Sequence, residues 1–127
     1  MIILSIDDDD DDRELLREAI SLIDRDIICI QLNDGVDALN YLDSDLELPD
    51  LIFLDINMPR MNGIACLELI RSNPKFDSTK VIIFSTSRDI LDLEKVKTLG
   101  SEFITKPNSF SDLVTLLKNV LGQKQRN

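Results

Sequence analysis

The chain has 127 residues, 43% hydrophobic and 30% charged, enough for one globular domain with its own core and too apolar for wholesale disorder. No apolar run approaches ~18 residues and the apolar start Met1–Ile6 meets acid at Asp7, so neither a membrane span nor a signal peptide is expected. A net charge of −10 argues against nucleic acid as a direct ligand, and the absence of histidine excludes Ser-His-Asp and Cys-His catalysis, His-ligated zinc and an internal phosphohistidine.

In chain order, short β-branched runs alternate with helical periodicity. Ile2–Ile6 predicts a first strand, and the acidic run Asp7–Asp12 leads into a helix marked by Leu15, Leu16, Ala19, Ile20 and Ile23. Ile27–Leu32 is a second strand, Asn33-Asp34-Gly35 a turn, and Val36 to Leu42 a weaker helix. Leu51–Ile56 is a third strand, followed by a helix from Gly63 to Arg71. Val81–Phe84 is a fourth strand, and Ile90 to Leu99 a helix capped by Gly100. Glu102–Thr105 is a fifth strand; Leu113, Leu116, Leu117, Val120 and Leu121 stripe a last helix that Gly122 would cap. This assigns residues 1–122 to one domain, 123–127 to a frayed tail, and leaves no room for an output domain. Cys29 and Cys66 lie far apart with no CxxC spacing, as expected of buried reduced thiols in a cytoplasmic protein. Five strands alternating with five helices imply an α/β fold: a parallel sheet covered on both faces.

Ligands of open parallel sheets bind beyond the carboxyl ends of the strands, so the residues following each strand carry the chemistry. These are Asp7 and Asp8 after the first, Asp55 then Asn57-Met58-Pro59 after the third, Ser85 and Thr86 after the fourth, and Lys106-Pro107 after the fifth. Two carboxylates ~5 Å apart repel by about 3 kcal/mol at an effective dielectric of ~20, so a trio needs protons or a cation. Oxygen donors with few protein contacts suit Mg²⁺. Lys106 and Ser85 suit a phosphoryl group, and Asp55 suits a carboxylate nucleophile. Taken singly each residue has a plainer reading. Asp10, Asp11 and Asp12 would complement a helix dipole, Asp55 would cap a turn, Lys106 would be a surface lysine, and Phe103 a core aromatic. No turn glycine or distal glutamate supports an EF-hand.

Together the pair Asp7-Asp8, the segment Leu54-Asp55-Ile56-Asn57-Met58-Pro59-Arg60-Met61-Asn62-Gly63, Ser85 and Lys106-Pro107 closely resemble the receiver domain of two-component response regulators. The likeness runs from Ile2 to Leu121, and Asp7–Arg13 with Glu14-Leu15-Leu16 is similar to small stand-alone receivers associated with phytochrome kinases. The resemblance implies a flavodoxin-like, doubly wound sheet of order 2-1-3-4-5. It makes Asp55 the phosphoacceptor; Asp7, Asp8, Asp55 and the backbone carbonyl of Asn57 the Mg²⁺ site; and Ser85 and Lys106 the groups that meet the phosphoryl. Phe103 takes the switch-aromatic position, and the Lys106–Pro107 bond is expected to be cis. Thr86 stands where a small residue is usual, and Asn108-Ser109-Phe110 places its aromatic late.

The function implied is that of a phosphorelay acceptor, charged by a partner histidine kinase or histidine phosphotransfer protein. It would be no enzyme beyond self-phosphorylation and slow self-dephosphorylation. Its read-out to an unknown protein target would run through the face from about Arg88 to Leu121, with no nucleic acid or membrane involved. Two alternatives stay open at this point: a constitutive interaction module that is never phosphorylated, and an aspartyl-phosphate phosphatase. The latter requires a general acid two residues after the nucleophile, where this chain has Asn57.

Overall fold

The computed structural model describes residues 1–44, 47–86 and 90–125. Five parallel strands, β1 (Ile2–Ile6), β2 (Ile28–Leu32), β3 (Leu51–Leu54), β4 (Lys80–Ser85) and β5 (Glu102–Thr105), form one sheet in the order β2-β1-β3-β4-β5. Between and after them run α1 (Asp10–Ile23), α2 (Gly35–Leu42), α3 (Gly63–Arg71), α4 (Ile90–Thr98) and α5 (Phe110–Gln125). This is the doubly wound architecture expected. A short 3-10 helix, Pro74–Phe76, precedes β4 and has proline in its first turn.

Unbroken apolar strands follow from burial on both faces, because successive side chains point to opposite sides. Leu4, Ile6, Ile52, Leu54, Val81 and Ile83 face one cluster with Ala38, Leu67, Ile70 and Val96 of α2, α3 and α4. Ile3, Leu51, Phe53, Ile82 and Phe84 face the other, with Leu16, Ala19 and Ile20 of α1 and Leu113, Leu117 and Val120 of α5. Phe53 and Phe84 meet edge-on at 5.6 Å between ring centroids. The edge strand β2 is less covered and leaves Ile28 56% exposed.

Local signals set the element ends. Asp9 caps α1, accepting the Asp11 and Asp12 amides; Asp34 caps α2 and Asn62 caps α3. Gly100, at φ 72°, closes α4 with the Ser101 amide bonded to the Val96 carbonyl and the Gly100 amide to Lys97. Three expectations are corrected. α5 continues through Gly122 to Gln125, so Gly122 is no cap and 123–125 are no tail. An interior glycine costs a helix only about 1 kcal/mol, which the helix-favouring residues after it tolerate. No described peptide bond is cis, so Lys106–Pro107 is trans; the Lys106 side chain reaches the acidic rim without the bend a cis bond would impart. β3 stops at Leu54, leaving Asp55 and Ile56 beyond the ladder. Residues 126 and 127, and the Arg88 taken as the start of the read-out face, lie outside the described residues. Among the described residues no helix is long and apolar enough to cross a membrane.

One glycine is dictated by a close approach. A Cβ at Gly63 would lie 2.0 Å from the Asp55 carbonyl oxygen and 2.9 Å from the Ile56 Cα, because the Gly63 amide bonds the Ile56 carbonyl at 2.8 Å. The neighbouring atoms are backbone and cannot swing aside. Gly63→Ala is therefore expected to lower unfolding free energy by about 1–3 kcal/mol in urea titrations. An unchanged midpoint would show that the start of α3 yields easily.

Candidate functional site

The parallel ladder brings the site together. The Asp7 amide bonds the Leu32 carbonyl at 3.1 Å and the Asp55 amide bonds the Ile6 carbonyl at 2.9 Å, so both acids sit one step past the ends of central strands. At the end of β5, the Lys106 amide bonds the Ser85 carbonyl at 3.1 Å. Asp7, Asp55 and Ser85 are buried, Asp8 is exposed, and the Lys106 side chain keeps only 10% exposure.

Carboxylate oxygens of Asp7, Asp8 and Asp55 all lie within 4.8 Å of one another. The Lys106 ammonium stands against them, with Nζ 2.6 Å from Asp7 Oδ2 and 3.7 Å from Asp55 Oδ2. Asp7 Oδ1 accepts the Asp9 amide at 3.0 Å, and Asp55 Oδ1 accepts its neighbour Ile56 amide at 2.8 Å, which fixes the rotation of each carboxylate. Burial pushes the Asp7 carboxyl up to about 6, with the Asp55 charge adding to it, against the opposing pull of Lys106 and the Asp9 amide. Burial also works against the Lys106 charge, but its bonds to Asp12 and Asp7 outweigh that and raise its pKa. Lys106 stays an ammonium.

The sequence-derived residues therefore converge. Asp7, Asp8, Asp55, Ser85 and Lys106 share one rim, and Asn57 lies exposed in the loop two residues after Asp55. Thr86 is exposed beside Ser85. Phe103 is half-buried, opposite Ile83 on β4, and packs on the cluster beneath α3 and α4. The late aromatic of the β5–α5 loop, Phe110, opens α5 at 37% exposure and lines a groove of about 90 Å³ with Leu15, Asp12 and Lys106.

Three contacts at the site are not legible in the sequence. Asp12, expected to complement the helix dipole, also places its Oδ2 2.8 Å from Lys106 Nζ. Its third position in the helix was the available signal, since side chains there lean back towards the helix start. Arg60, at a left-handed φ of 65°, bonds Asp34 at 2.7 Å and Asp37 at 3.1 Å, tying the loop after Asp55 to the start of α2. Gly63 is the third, through its approach to the Asp55 backbone.

Residues 3–118 match the response regulator receiver domain model, and the chain belongs to that family. It is 35% identical over 111 residues to Protein PilG of Pseudomonas aeruginosa, covering 85% of this chain and 81% of that protein. It is 29% identical to response regulator Rcp1 of Synechocystis, over 94% of this chain and 85% of Rcp1. The Mn²⁺-bound Rcp1 structure superposes with a TM-score of 0.85, covering 94% of this chain and 90% of that one. The phosphorylated cyanobacterial phytochrome response regulator RcpA superposes at 0.87 with 29% identity, covering 94% of this chain and 89% of that one. Some curated relatives are far longer, the chain spanning 14% of one of them. Receivers are signalling domains of two-component systems, phosphorylated by histidine kinases.

The raised Asp7 carboxyl has a pH consequence. Its folded pKa, about 6, exceeds the ordinary 3.8, so its contribution to metal-free stability is present below pH ~4 and lost as pH rises through 6. Relative to Asp7→Asn, metal-free wild type should lose up to about 3 kcal/mol between pH 4 and 7. Denaturant titrations across that range check this; a difference that does not vary with pH would contradict it.

Proposed function

We propose that this chain is a phosphorelay receiver that accepts a phosphoryl group on Asp55 and changes its partner-binding surface in response. The observation that carries the reading is the placement of the Asp55 carboxylate, which is buried among Asp7 and Asp8 with the Lys106 ammonium 3.7 Å away. A carboxylate so placed is a nucleophile with a counter-charge at ion-pair distance.

The donor set fits a hard divalent cation: three carboxylates converge within 4.8 Å, one of them exposed to solvent. Asp7, Asp8 and Asp55, with the Asn57 carbonyl, would hold Mg²⁺, and when bound it neutralises charge on the phosphoryl oxygens. An oxygen of Asp55 attacks phosphorus; the O–P bond forms as the N–P bond of the donor phosphohistidine breaks and the imidazole leaves. That donor belongs to a partner, a histidine kinase or histidine phosphotransfer protein, because this chain has no histidine. The Ile56 amide holds Asp55 Oδ1, orienting the nucleophile. Lys106 and the Ser85 hydroxyl engage the phosphoryl oxygens. Drawing Ser85 towards them opens space beneath the loop after β4, and Phe103 rotates inward, changing the face formed by α4, β5 and α5. A switch of a few kcal/mol is sufficient to shift the populations. Its target is a protein. A reducing cytoplasmic setting is consistent with Cys29 and Cys66, whose thiols burial pushes up to about 11 and about 12.

Incubation with acetyl phosphate and Mg²⁺ should add one phosphoryl group per chain, detected by intact-mass spectrometry, and Asp55→Ala should take none. A label on serine, or none on wild type, would overturn the reading. Mg²⁺ should also raise the melting temperature through binding to the native state, by about 2–8 °C per kcal/mol. Asp8→Asn should abolish that rise; an undiminished response would remove Asp8 from the metal set.

A further inference from the structure

Asp12 of the acidic run lies outside the Asp7, Asp8 and Asp55 cluster, yet it bonds the same lysine. It sits in the first turn of α1, and its side chain, 37% exposed, reaches across to a lysine 94 residues away. The ammonium of Lys106 has three N–H groups. It donates to Asp7 Oδ2 at 2.6 Å and to Asp12 Oδ2 at 2.8 Å, while Asp55 Oδ2 at 3.7 Å lies outside hydrogen-bonding distance. In this state Lys106 is engaged by Asp7 and Asp12 rather than by the nucleophile.

We propose that Asp12 is a positioning residue that holds the Lys106 ammonium out of hydrogen-bonding distance of Asp55, so that phosphorylation draws Lys106 from Asp12 towards the phosphoryl group. The inference rests on the phosphoacceptor reading and deepens it. Two effects act in the same direction. An ammonium shared by fewer carboxylates turns more readily to a phosphoryl oxygen, and removing the Asp12 charge reduces repulsion of an incoming anion. The capping of α1 is separate, since it is Asp9 that accepts the Asp11 and Asp12 amides. Removing the Asp12 carboxylate therefore leaves the helix start intact. Glutamate keeps both charge and acceptor on a stem one methylene longer.

The test is the affinity for beryllofluoride, a phosphoryl mimic, measured by calorimetry at saturating Mg²⁺. Asp12→Asn should bind about three- to tenfold more tightly than wild type, and Asp12→Glu should return to within about twofold. Asp11→Asn removes the same charge one residue away, without a bond to Lys106, and should also stay within about twofold. Asp12→Asn binding no tighter than wild type, or Asp11→Asn giving the same gain, overturns the proposal while leaving Asp55 as acceptor. Wild type that neither binds beryllofluoride nor takes phosphate from acetyl phosphate overturns the phosphoacceptor reading, and this inference with it.

Discussion

Three carboxylates within 4.8 Å face a single ammonium, and this unequal arrangement governs the rest of the molecule. Each carboxylate pair costs about 3 kcal/mol at an effective dielectric of ~20, and Lys106 offsets only part of the sum. Burial, with a smaller push from the Asp55 charge, holds the Asp7 carboxyl up at about 6 despite a 2.6 Å contact with an ammonium. A site with this deficit of positive charge favours a divalent cation, and with that cation in place it can tolerate a phosphoryl anion beside Asp55. The stability of the native chain and its proposed chemistry are thus opposed: the groups that would perform the transfer are those that destabilise the metal-free fold.

Holding such charges together requires a rigid frame. The parallel ladder fixes Asp7 and Asp55 through backbone bonds to Leu32 and Ile6, and both faces of the sheet are packed with aliphatic side chains. Gly63 lets α3 press against the Asp55 carbonyl, while Arg60 ties the intervening loop to Asp34 and Asp37. The proposed read-out would leave the site through the same frame. Ser85 and Phe103 lie on neighbouring strands, β4 and β5, whose carboxyl ends reach the site. Phe103 is half-buried and packs against the cluster beneath α2, α3 and α4.

Much of this was legible in the sequence, for identifiable reasons. Unbroken apolar runs such as Val81–Phe84 and the helical stripe Leu113, Leu117, Val120 are strong signals, so five strands and five helices emerged in order. The acids and the lysine of the rim stood out because they lie just past the carboxyl ends of strands. What depends on geometry across the chain was not. The link from Asp12 to Lys106 spans 94 residues, and the clash that requires Gly63 exists only once α3 meets β3. Gly122 misled because glycine marks a helix end only when the chain turns there. The cis bond at Pro107 came from the family resemblance, and here the loop delivers Lys106 in the trans form.

The account makes cation and phosphoryl mutually dependent, since both relieve or use the same charge deficit. Calorimetric titration of the wild-type chain with beryllofluoride, with Mg²⁺ present and with Mg²⁺ chelated, measures that dependence directly. One site per chain that fills with Mg²⁺ present and loses at least about tenfold in affinity without it is the expected result. Equal binding under both conditions, or none with Mg²⁺ present, would contradict the account.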